Sequence, residues 1–401
     1  MTPIKSKSPF YPGQPVPVEL FVGRVKEIDR IRRAMGQVAA GKPQAVFVTG
    51  EYGIGKSSLA GYIRFLGEHE YKLLGIHVLL GGATTLEEVA TKTVQEVLKS
   101  GAFDPSWTEA TRNALAKYIG KQDLFGITVN LEALETDAPT LSRGFLPFLE
   151  SLFKRVEEKG TQGLLLILDE INGISSNAKF AHFIKSIVDE NALARKPLPL
   201  LLMLCGVEER RRELIQKHQP VERIFDIAEI SPMSEQEVRV FFDKAFRAEQ
   251  LTVDDTAHYA LYKYSSGFPK VMHILGDNAF WIDKDGRIDL DDAIDAAILG
   301  AQEVGRKFVD QQVIKALRSE DYRSILAKLG ERDFDLAFHK SKIADGLTST
   351  EKNKFNNFLQ KMKRLQVLKS GDDVGEYVFN DRLVRLYLRL NSARISQPKS
   401  Q

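Results

Sequence analysis

A glycine-rich segment, residues 50–58 (GEYGIGKSS), carries one lysine and two serines in the spacing GxxxxGK(S/T). Glycines permit backbone angles and a close approach that side chains would forbid, so backbone N–H groups can point at phosphate oxygens. Lys56 would reach the β- and γ-phosphates of a nucleotide, and Ser57 would ligate Mg²⁺. The alternative is a glycine-rich turn beside a solvated lysine. The binding residues that this pattern predicts are Gly50, Gly53, Gly55, Lys56, Ser57 and Ser58.

Two adjacent carboxylates follow an apolar run within residues 163–172 (GLLLILDEIN). The run predicts a buried strand, and ligands bind at the carboxyl edge of open α/β sheets. Asp169 would hold the Mg²⁺ shell through water, and Glu170 would polarise an attacking water as general base. An ordinary strand followed by a polar turn is the alternative. With the glycine-rich segment, the pair favours nucleotide hydrolysis, in which Glu170 and Lys56 are the catalytic candidates.

Alternating strands and helices from about residue 21 to 230 would position these residues, and they predict an α/β fold with a parallel sheet. The run 46–48 predicts a strand, and helical spacing follows residue 58, so the glycine-rich segment lies before a helix N-terminus. The run 101–140 predicts helix, and residues 234–302 predict helices only. The candidate strands are 45–49, 72–79, 163–169, 199–205 and 224–229.

The formal net charge of +2 hides an asymmetry along the 401 residues. Residues 301–401 contain 20 Lys and Arg and 13 Asp and Glu, a net charge of +7, which permits a nucleic-acid partner there. The single cysteine, Cys205, excludes an intrachain disulfide and a cysteine-based zinc site. The seven His show no HExxH pair.

Residues 1–20 are rich in Pro, Ser and Lys and lack the apolar core of a signal peptide. The apolar run Leu164–Leu168 is far too short to span a membrane. We therefore expect an extended N-terminal arm and a cytoplasmic protein with no membrane partner.

The box FVGR, Phe21 to Arg24, followed by Glu27, resembles the short box that precedes the phosphate-binding loop in AAA+ and STAND-type ATPases. The order FVGR, GEYGIGKSS, LLLILDE and an all-helical lid is similar to the archaeal-ATPase branch, with relatives among origin-recognition and transposition ATPases. The resemblance covers residues 21 to about 395. It implies that ATP with Mg²⁺ is the cofactor and that Val22 and Arg24 lie near the adenine.

The resemblance also implies residues that complete the nucleotide site. Such families place a polar sensor at the end of the fourth strand, where this sequence departs with Cys205 and Gly206. They place an arginine finger before the fifth strand, facing the γ-phosphate of a neighbour, and Arg223 in PVERIFDI looks like that position. The partner is then a second copy of the chain or another protein. Solvation or a salt bridge is the alternative role for Arg223 and for its rivals Arg210, Arg211 and Arg212.

Residues 264–275 (YSSGFPKVMHIL) resemble the GxP motif of STAND ATPases. Gly267 can end one helix and Pro269 can start the next. The resemblance implies that Lys270 senses the γ-phosphate, and a simple helix-turn-helix connection is the alternative. His273 lies on an apolar face and is expected to be a packed core residue.

Other nucleotide chemistries lack their signatures. The sequence has no NKxD motif, with which a GTPase reads its base, and SSGFP is not the LSGGQ signature of an ABC-type ATPase. A nucleotide-dependent transferase such as a small-molecule kinase shares the glycine-rich segment and stays open. It would not explain FVGR, the acidic pair or the C-terminal region.

Residues 321–395 resemble a winged helix. A long amphipathic helix capped by Ser349 or Thr350 is followed by two short strands around Gly371 to Gly375, a plausible wing. The helix would enter the major groove of duplex DNA, and its basic residues would contact phosphate. The alternative is a docking unit for protein, which the acidic wing favours. The basic residues are Lys352, Lys354, Lys361, Lys363 and Arg364, and the expected buried ones are Phe355, Phe358, Leu359, Met362 and Leu365.

These expectations divide the chain into an extended arm (1–20), a P-loop ATPase α/β domain (21–232), a helical lid (233–302) and a winged-helix domain (303–401). The predicted function is an ATP-binding and ATP-hydrolysing switch that couples nucleotide state to DNA binding or assembly, in replication, transposition or mobile-element control. The alternative is a signalling or defence STAND ATPase whose winged helix docks a partner protein.

Overall fold

The computed structural model of the chain describes residues 5–99, 138–332, 336–371 and 373–396. Two compact units divide it: Pro15–Ser231 form the first, and Met1–Gln14 with Pro232–Gln401 form the second. Most of the segment 101–140, for which the sequence predicts helix, lies outside the described residues.

A five-stranded parallel sheet forms the centre of the first unit, with strand order β2-β3-β4-β1-β5. Each strand lies within two residues of the bounds expected from the sequence, which confirms the α/β part of the predicted fold class. The strands are β1 (Gln44–Gly50), β2 (Leu73–Leu79), β3 (Gly163–Asp169), β4 (Leu200–Gly206) and β5 (Asp226–Ile230).

The central strands β3 and β4 are buried along their whole length. Parallel strands covered on both faces consist of continuous apolar runs, and LLLIL and LLLMLC are such runs. Short 3-10 turns at Val18–Leu20 and Gln219–Arg223 accompany the helices. The described helices of this unit are α1 (Val25–Ala39), α2 (Lys56–Glu70), α3 (Leu86–Lys99), α4 (Ala138–Glu157), α5 (Ala178–Leu193) and α6 (Glu208–Lys217).

Helices make up most of residues 232–304 in the second unit, but the expectation of helices only is wrong. β6 (Thr252–Val253) and β7 (Arg287–Ile288) pair in parallel over two residues each. A pairing this short leaves no alternating pattern in the sequence. The helices are α7 (Glu235–Ala248), α8 (Asp255–Ser265), α9 (Pro269–Ile282) and α10 (Leu290–Val304).

A π-helix, Gly305–Ile314, leads into the C-terminal part of the second unit. This part contains a three-stranded antiparallel sheet with order β8-β10-β9, where the sequence predicts only two strands. The additional strand β8 covers three residues, too few for a periodic signal. The elements are α11 (Glu320–Glu331), β8 (Ala337–His339), α12 (Lys340–Ala344), α13 (Ser349–Arg364), β9 (Leu368–Ser370), β10 (Glu376–Phe379), α14 (Arg382–Leu390) and α15 (Ser392–Ser396).

The N-cap of α13 differs from the two candidates expected from the sequence. Thr348 is the cap, and its side chain accepts from the N–H of Glu351 while the Glu351 carboxylate accepts from the Thr348 N–H. This reciprocal capping box needs an acidic residue three positions after the cap, which only Thr348 has here. Four of the five residues expected on the buried face are buried, and Leu365 is half-buried.

Within the described parts of the chain, no helix has the length and hydropathy needed to cross a membrane. The same residues contain no group of three or more His, Cys, Asp or Glu side chains arranged to hold a metal ion.

Candidate functional site

The phosphate-binding loop (residues 50–58) runs from the end of β1 into the first turn of α2. Gly53 and Gly55 have φ values of 76° and 97°, a left-handed conformation that favours glycine. A Cβ on Gly50 would lie 2.9 Å from the carbonyl oxygen of Ile230. The three glycines of the pattern are therefore required by the backbone. Ser57 and Ser58 lie in the first turn of α2, beside the N–H groups at the helix N-terminus.

Lys56 is held inside this loop. Its Nζ donates to the carbonyl oxygens of Gly50 at 3.0 Å and Glu51 at 2.9 Å. The side chain is half-buried. Burial lowers the pKa of Lys56, while the charges of Asp169 and Glu170 act in the opposite direction. The lysine and both carboxylates thus lie within electrostatic range of one another.

Asp169 is 1% exposed at the carboxyl end of β3, and both of its oxygens have partners. Oδ1 accepts from the backbone N–H of Glu170 at 2.8 Å, and Oδ2 lies 3.2 Å from Nε2 of His77. His77 is on the adjacent strand β2, and the sequence analysis missed it. Its signal is a single polar side chain within an apolar strand, LLGIHVL.

Glu170 is exposed immediately after β3 and has a φ of 59°, in the left-handed region. A Cβ on Gly81 would lie 2.7 Å from Oε2 of Glu170, so the carboxylate rests against the backbone that follows β2. A non-glycine residue in this conformation costs about 1–3 kcal/mol, and such strain clusters at functional sites. Glu170 thus lies at the sheet edge at which β1 ends and the phosphate-binding loop begins.

Arg24 of the FVGR box is 5% exposed and caps α1 in a left-handed conformation. Its guanidinium donates to the carbonyl oxygens of Ser231 and, at 2.9 Å, of Ile54 within the phosphate-binding loop. Arg24 therefore positions the loop backbone. Val22 is half-buried in the same box, and the ring of its neighbour Phe21 stacks on Tyr62 of α2 at 4.5 Å.

The end of β4 lies between β1 and β3, where the resemblance implies a polar sensor. Cys205 is fully buried there, and burial raises the pKa of its thiol well above the ordinary value. The nearby polar contact is made by Glu208, the first residue of α6, which accepts from Oγ1 of Thr49 at 3.3 Å. The sequence analysis missed Glu208, whose signal is a carboxylate two residues after β4.

The four candidate arginines differ in their pairing. Arg210 pairs with Glu213 at 2.5 Å, and Glu208 holds Arg211 at 2.8 Å and Arg212 at 3.0 Å. Arg223 ends a 3-10 turn before β5, is exposed, and makes no ion pair within the described parts of the chain. Among the four, Arg223 is the side chain with its guanidinium free for another molecule.

Lys270 belongs to the second unit, where it is the exposed second residue of α9. In the same unit its charge acts on Asp381, although burial dominates and raises the pKa of that carboxyl. Gly267 has a φ of 71°, and a Cβ there would lie 2.2 Å from the Met233 carbonyl oxygen. Pro269 begins α9. The GxP residues thus have a local structural role. His273 is buried, as expected.

The arrangement suits a nucleoside triphosphate with Mg²⁺. The loop offers backbone N–H groups, a helix N-terminus and a lysine to phosphate. At the same sheet edge, one buried carboxylate could hold a hydrated cation and one exposed carboxylate could accept a proton from water.

Residues 20–214 match the family described as AAA ATPase domain. Two solved structures share the fold over most of the chain. The Walker-type ATPase PABY2304 of Pyrococcus abyssi is 16% identical, with 92% of this chain and 96% of that chain covered and a TM-score of 0.56. The ORC2 protein of Aeropyrum pernix in ADPNP–ADP complexes is 13% identical, with 94% and 95% covered and a TM-score of 0.57.

The resemblance seen in the sequence is therefore confirmed: residues 20–214 are similar to an AAA ATPase domain, and the fold is shared with an archaeal Walker-type ATPase and an archaeal ORC2 protein. Among proteins of curated function, none matches the sequence.

Proposed function

We propose that the protein binds ATP with Mg²⁺ and hydrolyses it, and that nucleotide state controls binding to duplex DNA. The observation that carries the hydrolysis is the grouping of Lys56, Asp169 and Glu170 at one edge of the sheet, within electrostatic range. Ser57 and Asp169 would hold Mg²⁺, which supplies charge neutralisation at the phosphates. Glu170 would take the proton of the attacking water.

The DNA-binding part of the proposal rests on helix α13 of the predicted winged helix. Its buried residues fix one face against α11 and the small sheet. At its start, Glu351 accepts from Lys328 at 2.6 Å as well as from the capping N–H. The helix is thus held at its N-terminus and along one side, and the opposite face is exposed.

That exposed face carries amides that the sequence analysis did not single out. Spacings of three and four residues, with one adjacent pair, place them on one side of the helix, and no side-chain hydrogen bond engages them within the described chain. Asn and Gln side chains pair with adenine in the major groove, and Arg pairs with guanine. We call this surface the amide face, and it consists of Asn353, Asn356, Asn357 and Gln360 together with the guanidinium of Arg364.

The Asn residues of the amide face lower the stability of the helix. Asn is less favourable than Ala in a helix interior by roughly 0.6 kcal/mol, and three Asn stand on this surface. A solvated helix face is ordinarily filled with Lys, Arg, Glu or Ala, as on α7 with its exposed Glu235, Lys244 and Arg247. Three exposed Asn are therefore better explained by contact with another molecule.

Fewer basic side chains of α13 are available to DNA phosphates than the sequence predicts. Lys354 pairs with Asp321 at 2.5 Å, Lys361 donates to the Ala316 carbonyl at 2.6 Å, and Lys363 donates to Ser370 at 2.8 Å. Lys352 is exposed without such a bond and remains available to a phosphate. Phosphate contact would thus come from fewer lysines, and contact with bases from the amides.

Duplex binding by two variants tests this division. Lys352→Ala should weaken binding to all duplexes about equally and reduce the salt dependence. Asn357→Ala combined with Gln360→Ala should change the preference among duplexes in a randomised pool while leaving the salt dependence unchanged. If neither variant alters DNA binding, α13 is not the DNA-binding element.

A second candidate function is the signalling or defence ATPase with a protein-docking module. The observation that favours it is Val374, which is 99% exposed at the tip of the wing next to Asp373. An apolar tip with an acidic neighbour suits a protein surface better than a phosphate backbone. Under this function Val374→Ser would abolish capture of the partner protein, and the Lys352 and Asn357 variants would be silent.

A further inference from the structure

The N-terminal segment, residues 5–16, makes hydrogen bonds near both of its ends to residues outside the segment. Lys5 donates to the carbonyl oxygens of Phe280 and Asp283, both at 2.5 Å, and to Oδ2 of Asp283 at 2.6 Å. Two of these acceptors are carbonyls at the C-terminus of α9, where a cation is favourable. Asp283 is 4% exposed, so Lys5 also neutralises a buried carboxylate.

Phe10 fills an aromatic cluster formed by Phe241, Phe242, Phe246 and His273 of the second unit. It is 4% exposed, and its ring centroid lies 4.9 Å from that of Phe246. A Cβ on Gly276 of α9 would lie 2.2 Å from Cε1 of Phe10. The glycine therefore leaves the space into which the ring fits. The contact removes nearly the whole ring from water, so it anchors the segment in the cluster.

The backbone N–H of Tyr11 donates to Nδ1 of His273 at 3.1 Å. Burial lowers the pKa of His273 to about 4, so near pH 7 the imidazole is neutral and Nδ1 stays an acceptor. The proton is then on Nε2, which is buried. The hydrogen bond protects the Tyr11 amide from hydrogen exchange while the segment is docked. The exchange rate of this amide therefore reports on docking.

The other end of the segment lies in the first unit. The backbone N–H of Val16 donates to Oγ of Ser58 at 3.2 Å. Ser58 stands in the first turn of α2, next to Ser57 of the phosphate-binding loop. A serine hydroxyl that accepts one hydrogen bond still has its own proton to donate. Ser58 can therefore contact Val16 and a nucleotide phosphate together.

Few freely rotating backbone bonds separate the docked Phe10 from Val16. Tyr11 to Gln14 form a turn with Pro12 and Gly13 in the middle, closed by the Gln14 N–H and the Tyr11 carbonyl at 3.3 Å. Gly13 has a φ of 77°, as such a turn requires. Pro15 also restricts the backbone. Val16 follows Phe10 by only six residues, so a change in the contact with Ser58 acts on the segment close in sequence to the docked ring.

We propose that the aromatic cluster is a binding site for the N-terminal segment of this chain, and that a nucleotide on α2 controls its occupancy through Ser58. The proposal rests on the nucleotide binding proposed above and extends it with a regulatory role for the N-terminal segment. Because binding linkage is reciprocal, a nucleotide that favours docking of Phe10 must itself bind more tightly when Phe10 is docked.

Hydrogen exchange at the Tyr11 amide, measured with and without a saturating non-hydrolysable ATP analogue and Mg²⁺ at pH 7, tests the proposal. In the wild type the analogue should slow this exchange about 10-fold. Ser58→Ala should bind the analogue more weakly, and at a concentration that saturates this variant it should show no change in exchange at Tyr11. Nucleotide affinity is followed in parallel by calorimetry.

Gly276→Ala displaces Phe10 without altering the segment or the loop. It should give fast Tyr11 exchange in every state and weaken the analogue about 10-fold, as should Phe10→Ala. The matched control is Gly36→Ala in α1, where the added methyl meets only the Tyr71 ring at 3.8 Å. It should leave both measurements unchanged.

Two results would overturn the proposal, and they are distinguishable from failure of the proposed function. If the analogue binds but the exchange of Tyr11 is unchanged, the segment is a static part of the second unit. If Gly276→Ala speeds exchange at Tyr11 while nucleotide affinity stays at the wild-type value, docking and nucleotide are uncoupled. If the analogue does not bind at all, the proposed nucleotide function fails together with the coupling.

Discussion

The imidazole Nε2 of His77 lies 3.2 Å from Oδ2 of Asp169, across the boundary between β2 and β3. The other carboxylate oxygen accepts from the backbone of Glu170 at 2.8 Å. Each oxygen keeps a lone pair for a further partner. His77 therefore orients the carboxylate that would hold the hydrated Mg²⁺.

His77→Ala should raise the Mg²⁺ concentration for half-maximal ATP hydrolysis about 10-fold, because outer residues that orient a metal ligand contribute this much to metal affinity. Nucleotide affinity in the absence of Mg²⁺ should not change. His77→Asn, which keeps an N–H donor, should recover part of the loss. An unaltered Mg²⁺ dependence in the alanine variant would show that Asp169 does not need His77.

Glu170→Gln should lower kcat for ATP hydrolysis by about 10²–10⁴-fold, the usual contribution of a general base, while ATP still binds. The change preserves shape and removes the proton acceptor. Glu51→Gln, in the same loop but with its backbone carbonyl as the contact to Lys56, is the matched control and should retain activity. Hydrolysis by Glu170→Gln at the wild-type rate would assign the base to another residue.

Arg223 can be tested by mixing two inactive variants. Arg223→Ala should bind ATP yet hydrolyse it about 10³-fold more slowly, as for loss of an arginine finger. Lys56→Ala should fold but lose nucleotide binding. In an assembly, the first variant supplies an intact loop and the second an intact arginine, so the mixture should hydrolyse ATP. A mixture as inactive as its components would mean that Arg223 does not act on a neighbouring subunit.

Glu351 makes the free energy of unfolding depend on pH in the acid range. Burial raises the pKa of Glu351, but hydrogen bonds from Lys328, Ser324 and Thr348 outweigh it and hold the pKa at about 2. Because the pKa is lowered on folding, this stabilisation is present above the unfolded value of 4.5 and is lost as pH falls toward about 2. A shift of this size corresponds to about 3 kcal/mol.

Urea denaturation between pH 7 and pH 3 should therefore give Glu351→Gln a lower free energy of unfolding than the wild type at pH 7, and the difference should shrink with acid. Exposed Glu331, for which Gln should be neutral at every pH, is the control. A difference that stays constant across this range would assign the effect to lost packing.

The nucleotide site could be predicted from sequence because its parts are local or lie at strand ends. The loop glycines and Lys56 are contiguous, and Asp169 and Glu170 follow a strand whose apolar run is unmistakable. His77 and Glu208 could not be found this way. Their roles depend on which strands are neighbours in the sheet and on where the side chains point. Both are set by the tertiary fold and cannot be seen in a short stretch of sequence.

The second unit shows the same division. His273 was expected in the core from its apolar neighbours, whereas its partner Tyr11 lies 262 positions away and only folding brings them together. The lysines of α13 were correctly assigned to the helix, but their partners Asp321, Ala316 and Ser370 are set by tertiary packing. Sequence periodicity identifies a helix face, and the structure determines whether that face is free.

Control of DNA binding by nucleotide state is the main part of the proposed function. A salt titration of duplex DNA affinity, with and without a non-hydrolysable ATP analogue, tests it while mass in solution is followed by light scattering. We expect tighter binding and a larger assembly with the analogue, and a decline of about 0.9 log units in affinity per log unit of salt for each phosphate contact. Absence of DNA binding in every nucleotide state would contradict the claim and leave the predicted winged helix as a protein-docking unit.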